Sequence, residues 1–349
     1  MKKRCLVLCS GSYSIKNSVS AGFTANGFQV KAIHYQDFFP AIINRLISLF
    51  SFLPNKIRQI WELPYSKKVN RLYLTKFSDF DPGIVFIYNN QLLLPETVME
   101  FKKHARMVFT LGDHPLYTPT NKYNLVILFH ADYIFCPDTL WVNQLRSMGI
   151  NNVHFDFFAH DPSLYYEFMP SEELLSKYGT DLVYIGHVQK NNWGYKRLLF
   201  LNLFNKYNFK VYLSGDGFRK LWAQFFPGLE SKAIHHDRRD PMFNNLLYNC
   251  SKISPVDLVP SLFNGVHVRI FDILGAGSFP LCEYSSDLEK VFDGLEVPFI
   301  KSYEDATAIT DWLLANEDER RNLVKRMRVA VEERHSPEKV VGRLIGHLG

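Results

Sequence analysis

Short apolar runs, each followed by turn residues and then by a stretch of helical spacing, recur along the whole chain. Cys5 to Cys9 reads as a buried strand, Ser10-Gly11-Ser12 as the turn after it, and the residues through Ala21-Gly22-Phe23 as a helix. Gln29 to Ile33 is a second strand. Ile84 to Tyr88 follows the turn Asp81-Pro82-Gly83, and Met107 to Thr110 follows a helical stretch from Pro95 to Lys103. Asp132 to Phe135 and Val153 to Phe155 complete this set. Continuous β-branched runs with helices between them predict a parallel sheet covered on both faces.

The pattern then restarts. Leu182 to Ile185, Lys210 to Leu213, Lys252 to Ser254 and Phe279 to Cys282 read as strands of a second unit. Between the sets lie Ala159-His160-Asp161-Pro162 and a polar helix from Ser171 to Tyr178. The expected fold class is α/β, with two Rossmann-like doubly wound domains facing across a cleft. We expect residues 1–165 to form the first domain, with an insertion at 41–76. Residues 166–336 form the second, and 337–349 a terminal helix placed to pack back on the first. Such pairs take their ligand between the carboxyl ends of both sheets.

The length of 349 residues suits two domains at ~150 residues each. At 47% hydrophobic and 21% charged the chain is too apolar for disorder, and no run of ~18 uncharged apolar residues predicts a membrane span. The five cysteines include no Cys-x-x-Cys, which speaks against a disulfide framework or a zinc site and for a reducing cytoplasm. The start, Met1-Lys2-Lys3-Arg4 before an apolar run, superficially resembles a signal peptide. That run is short beside an h-region of ~7–15 residues, so a buried first strand fits better.

Seventeen basic and 12 acidic residues fall within 1–170, against 23 of each beyond, so the net charge of +5 is local. Residues 41–76 hold Arg45, Lys56, Arg58, Lys67, Lys68, Arg71 and Lys76 against the single acid Glu62.

The most informative stretch runs Asn264-Gly265-Val266-His267-Val268-Arg269-Ile270-Phe271-Asp272-Ile273-Leu274-Gly275-Ala276-Gly277-Ser278-Phe279-Pro280. A helix bearing Arg269 and Asp272 one turn apart ends in two glycines and leads into a strand. Further on come Phe292-Asp293-Gly294, Tyr303-Glu304-Asp305, Asn316-Glu317-Asp318-Glu319-Arg320-Arg321 and Arg334-His335-Ser336. Taken together these segments resemble the glycosyltransferases of the GT-B fold, specifically the spore-maturation-protein-like group. Tyr184-Ile185-Gly186-His187 with Arg197 resembles that group's strand, glycine turn and arginine at the opening of the nucleotide domain. Thr110-Leu111-Gly112-Asp113-His114-Pro115 stands where the group has a short acidic loop. The resemblance covers about residues 180–336 specifically, is looser over 75–165, and is poor over 40–75.

The resemblance implies a donor site of Gly186, His187, Arg197, Arg269, Asp272, Gly275 and Gly277. The chemistry suits it. A leaving diphosphate gains charge as the glycosidic bond breaks, so backbone N–H groups at a helix N-terminus and a guanidinium fork stabilise it. Asp272, where the group more often has Glu, takes the role of accepting the ribose hydroxyls. Blander readings stand beside these: an exposed Arg269–Asp272 ion pair, cap or turn glycines at 275 and 277, a structural Gly186 and a surface Arg197.

Transfer to a hydroxyl calls for a base on the acceptor side. Asp113 and His114 end a predicted strand and are the candidates, against the alternative of a turn aspartate and a satisfied histidine. Gly11 and Ser12, ending the first strand, are candidate cleft contacts. His235-His236-Asp237-Arg238-Arg239-Asp240 has a metal-like look, but adjacent histidines chelate poorly and it reads as a solvated loop. Asp79-Phe80-Asp81 precedes a strand and abuts Pro82-Gly83, which favours capping. No metal and no cofactor are expected.

Ala41 to Arg58 is apolar with sparse cations, and Trp61, Tyr65, Lys67, Lys68 and Arg71 follow. Such a stretch suits an anionic membrane surface or acceptor, with Arg45, Lys56, Arg58, Lys67, Lys68 and Arg71 as docking residues. A packed inserted helix or a dimer contact is the alternative. Nucleic acid is not an expected partner, since no such module is present and the second half is neutral.

The reading is a cytoplasmic, peripherally membrane-associated glycosyltransferase. Its partners are a nucleotide-sugar donor and a glycan or lipid-linked glycan acceptor of cell-surface polysaccharide or lipopolysaccharide type. The rivals are a sugar-nucleotide epimerase of the same fold and a degenerate nucleotide- or glycan-binding subunit.

Overall fold

A computed structural model describes every residue except 1, 11–13, 51–52, 90, 117–122, 216 and 237–239. Gly11 and Ser12 therefore lie outside the described residues, as do Asp237, Arg238 and Arg239. The chain divides into two compact units, Met1–Phe158 with Pro337–Gly349, and Ala159–Ser336.

The first unit holds a six-stranded parallel sheet. Its strands are β1 (Arg4–Leu8), β2 (Gln29–Ile33), β3 (Ile84–Tyr88), β4 (Arg106–Thr110), β5 (Tyr133–Cys136) and β6 (Val153–Phe155), in the order β2-β1-β3-β4-β5-β6. The central strands have no polar face: Leu6, Val7, Val85, Phe86 and Val108 are all fully buried. This is why their sequences run apolar without alternation. The order reverses between β1 and β3, and at such a switch the loops leaving the carboxyl ends diverge and open a crevice.

The terminal helix Pro337–Leu348 belongs to this unit. Its Val340, Val341, Leu344 and Leu348 join Phe23, Val7 and Phe86 in one core cluster. Arg343 anchors it, donating to both Asp156 oxygens at 2.9 Å. Two further helices, Ala41–Phe50 and Asn55–Phe80, fill the insertion. The amphipathic stretch read as one piece is thus broken before Asn55, and its second part runs on through Pro64 as one long helix. Asp81 ends that helix in a left-handed conformation and pairs with Arg4 at 2.6 Å, a capping role for the Asp79-Phe80-Asp81 run.

The second unit holds a five-stranded parallel sheet. Its strands are β7 (Thr180–His187), β8 (Phe209–Ser214), β9 (Ala233–His235), β10 (Ser251–Val256) and β11 (Phe279–Cys282), in the order β11-β10-β7-β8-β9. The switch point falls between β7 and β10. Among the described residues, the short edge strand β9 is the one strand that the apolar pattern does not predict. Its residues are largely exposed, so it carries no apolar run, and His235 belongs to it rather than to a loop.

Candidate functional site

In the second unit the switch point places the residues after β7 beside those after β10. Asp257 follows β10 directly and is fully buried. The Arg197 Nε reaches both of its oxygens, at 3.0 and 2.8 Å, and Tyr184 donates to it at 3.2 Å. Burial pushes the Asp257 carboxyl up, but the positive charges of Arg197 and Arg269 outweigh it and hold the group below its ordinary value. Arg197 also donates to the His187 carbonyl and lies 5.3 Å from the Trp193 ring centre. Its guanidinium is therefore built into the floor, with only 3% of the residue exposed. The surface-arginine reading does not hold, and these bonds occupy donors that a ligand would need.

Arg269 stands differently. It opens the short helix Arg269–Gly275, half-buried, with its guanidinium 5.3 Å from the Tyr184 ring centre. Its Nη1 is buried and has no hydrogen-bond partner. Asp272 follows one turn later, half-buried, and no ion pair links the two, so the exposed-pair reading also fails. Burial pushes the Asp272 carboxyl up to about 8, with the Arg269 charge opposing and Asp161 adding to the rise. Tyr165 and Tyr248 complete the wall. Burial drives both phenols up, and each feels the charges of Arg269 and Asp272.

His267 is a further member of this wall, in the same motif as Arg269 and Asp272 but with no role legible from the sequence. Its Nδ1 accepts the Arg269 backbone N–H at 3.1 Å. Burial, reinforced by Arg269, lowers its pKa to about 3, so the ring is neutral and carries its proton on Nε2. That bond also changes the expected phosphate chemistry. The N–H of Arg269 goes to His267, and those of Ile270 and Phe271 go to carbonyls of the preceding turn. The first turn of this helix therefore has those three donors engaged and leaves only side chains as open donors there. Asp257, the other unassigned residue, had a legible signal: a carboxylate at the carboxyl end of a strand.

The glycines prove to be packing residues. A Cβ on Gly186 would stand 2.6 Å from the Tyr184 hydroxyl. One on Gly275 would stand 2.5 Å from the His160 ring, and Gly277 has φ +85° just past the helix end. His187 ends β7, with Nδ1 3.3 Å from the Ser214 hydroxyl and its ring against Gly215. Arg269, Asp272, His267, Tyr184 and Asp257 thus form one connected group. Gly186, Gly275 and Gly277 shape it.

In the first unit the switch point lies at the ends of β1 and β3. Asn89 follows β3 with φ +53° and is locked there: its Oδ1 accepts the Gly112 N–H at 2.8 Å, and its Nδ2 donates to Asp113 at 3.0 Å. Gln91 and Leu92 also have positive φ, at 50° and 60°. Three left-handed non-glycine residues in one short loop are strain of the kind that functional sites store. Asp113 has an exposed side chain, and the surrounding protein raises its pKa against the lowering effect of the Asn89 amide. His114 is in a different position. Its Nδ1 accepts the Leu116 N–H at 3.1 Å, and its Nε2 donates to Gln144 at 3.2 Å. Its ring stands edge-on to Trp141 at 5.1 Å, and burial lowers its pKa. Both nitrogens are engaged, which fits the satisfied-histidine reading.

Among the described residues no group of three or more His, Cys, Asp or Glu could hold a metal ion, and no helix is long and apolar enough to cross a membrane.

Residues 196–346 match the glycosyl transferase-like family, a broader assignment than the spore-maturation-protein-like group. No curated protein matches the chain. Solved structures match over its full length. Sucrose-phosphate synthase from Thermosynechococcus elongatus aligns with a TM-score of 0.69 at 12% identity, covering 100% of this chain and 99% of that one. Anabaena HepE, solved in complex with UDP-glucose, gives 0.62 at 12%, covering 99% of each. UDP-GlcNAc 2-epimerase from Neisseria meningitidis, bound to UDP-GlcNAc, gives 0.54 at 13%, covering 99% of this chain and 98% of that one. The two parallel α/β sheets and the full-length structural matches define a GT-B double-domain architecture. The chain has that fold, and its residues 196–346 are similar to the glycosyl transferase-like family.

Proposed function

We propose that the protein transfers a sugar from a nucleoside-diphosphate donor to a hydroxyl of a growing cell-surface glycan. The observation that carries this reading is the unpartnered Nη1 of Arg269 beside the unpaired Asp272 carboxyl, at the switch point of the sheet within the family match. A buried guanidinium nitrogen with no partner is costly unless an anion completes it. A diphosphate supplies that anion, and its charge grows as the sugar leaves, so Arg269 stabilises the transition state more than the ground state. Asp272 accepts the ribose hydroxyls once ionised, and the His267 Nε2–H is a neutral donor at the same wall. Gly186, His187, Gly275 and Gly277 shape this donor site, and Arg197 acts through Asp257 as a positioning residue.

On the acceptor side Asp113 is the base. Its raised pKa makes it a stronger proton acceptor than an ordinary carboxylate, and Asn89 fixes its orientation. Assay of the purified protein with nucleotide sugars tests the reading. Nucleoside diphosphate released only with a glycan acceptor supports transfer. An epimerised nucleotide sugar formed without acceptor would make the protein an epimerase, and nucleotide binding with neither product would make it a binding subunit.

A further inference from the structure

The insertion at 41–76 carries a surface that the donor and acceptor sites do not use. Its two helices meet through an aromatic seam: Phe50 to Trp61 at 5.6 Å, Trp61 to Tyr65 at 6.1 Å and Phe39 to Tyr65 at 5.4 Å. The seam takes up the inner faces and leaves the outer ones apolar. On Ala41–Phe50, Ile42, Leu46 and Leu49 form a stripe at helical spacing, with Ile42 and Leu49 67% and 62% exposed. On Asn55–Phe80 the exposed positions 57, 60, 64, 67 and 71 fall on one face, where steps of three and four residues place side chains in line. That face changes character along its length. Ile57, Ile60 (75% exposed) and Pro64 are apolar, and Lys67 and Arg71 follow.

At 1.5 Å per residue, Lys67 stands about 10 Å and Arg71 about 16 Å along the axis from Ile60. An apolar tip with a cationic collar at that spacing matches the boundary between acyl chains and headgroups. Lys67 and Arg71 also line a cavity of about 370 Å³ with Leu63, Leu74 and Tyr123, where Glu96 is the lone acid. The only ion pair that the two helices make among the described residues is Arg58 with Glu62, at 3.7 Å. Arg45, Lys56, Lys67 and Arg71 have none, and Lys68 lies 5.4 Å from the Phe39 ring centre. A second copy docking through this face would set like charges against each other. An anionic lipid surface neutralises them while burying the isoleucines.

We propose that the outer faces of these two helices dock the protein on an anionic lipid membrane, the apolar tip entering and Lys67, Lys68 and Arg71 meeting the headgroups. Flotation of the full chain with phosphatidylcholine vesicles, with and without phosphatidylglycerol, tests this. The wild type floats with the anionic vesicles only and is released by raised salt. The triple variant Lys67→Gln/Lys68→Gln/Arg71→Gln lowers the partition coefficient about 100-fold. Leu49→Ser/Ile60→Ser also lowers it, and neither variant changes the melting temperature, since every altered side chain is exposed. The proposal is overturned by absence of flotation with anionic vesicles, or by flotation that the variants leave unchanged. Sedimentation showing a wild-type dimer that Leu49→Ser/Ile60→Ser converts to a monomer would likewise overturn it.

Discussion

Arg197 and Arg269 approach the same Tyr184 ring, their guanidinium carbons 5.9 and 5.3 Å from its centre, yet they do different work. Arg197 is closed off by Asp257, whereas Arg269 keeps a buried nitrogen without a partner. One arginine is closed into the floor, and the other is left with an open buried donor.

The first consequence concerns stability. Removing one member of a buried ion pair leaves the other charge uncompensated, at about 3–5 kcal/mol. Asp257→Asn should therefore lower the unfolding free energy of the second unit, read from urea denaturation, by that amount, while Arg269→Ala lowers it much less. Equal losses for both would show that Arg269 is also a structural residue.

Asp272 gives a pH signature. Its folded pKa of about 8 exceeds the ordinary carboxyl value of about 3.9, so the folded chain retains a proton that the unfolded chain releases. Stability on this account falls as pH rises from about 4 to about 8 and is level above. Asp272→Asn removes the penalty, so thermal melting should show a gain that grows between about pH 5 and pH 8.5. A gain independent of pH would contradict the burial argument.

Asp113 and Asn89 make a separable pair. Asp113→Asn should lower kcat for transfer by about 10²- to 10⁴-fold while leaving nucleotide affinity intact. Activity in the wild type falls as pH drops through the Asp113 pKa. Because the Asn89 amide lowers that pKa, Asn89→Ala moves the acidic limb of the rate profile to higher pH. An unmoved limb would remove Asp113 as the titrating base.

Gly275 tests the packing. Its Cβ would meet the His160 ring at 2.5 Å, so Gly275→Ala should cost about 1–3 kcal/mol by overpacking, read from urea denaturation.

Most of the fold was legible because the central strands are buried on both faces and so announce themselves as apolar runs. The edge strand β9 has no such face, and its polar, exposed residues read as a loop. Within the site, Arg269 and Asp272 were visible because one motif holds both at one-turn spacing. The partners of Arg197 and His114 were not. Asp257 lies 60 residues beyond Arg197, and Gln144 lies 30 beyond His114. Nothing local in the sequence indicates that those side chains are engaged.

Isothermal calorimetry with UDP and other nucleoside diphosphates decides whether the Arg269 guanidinium holds a diphosphate. The wild type should bind at least one of them, and Arg269→Ala should weaken that binding about 10- to 100-fold, the worth of a hydrogen bond to a charged group. Binding unchanged in Arg269→Ala would rule out that role for the guanidinium.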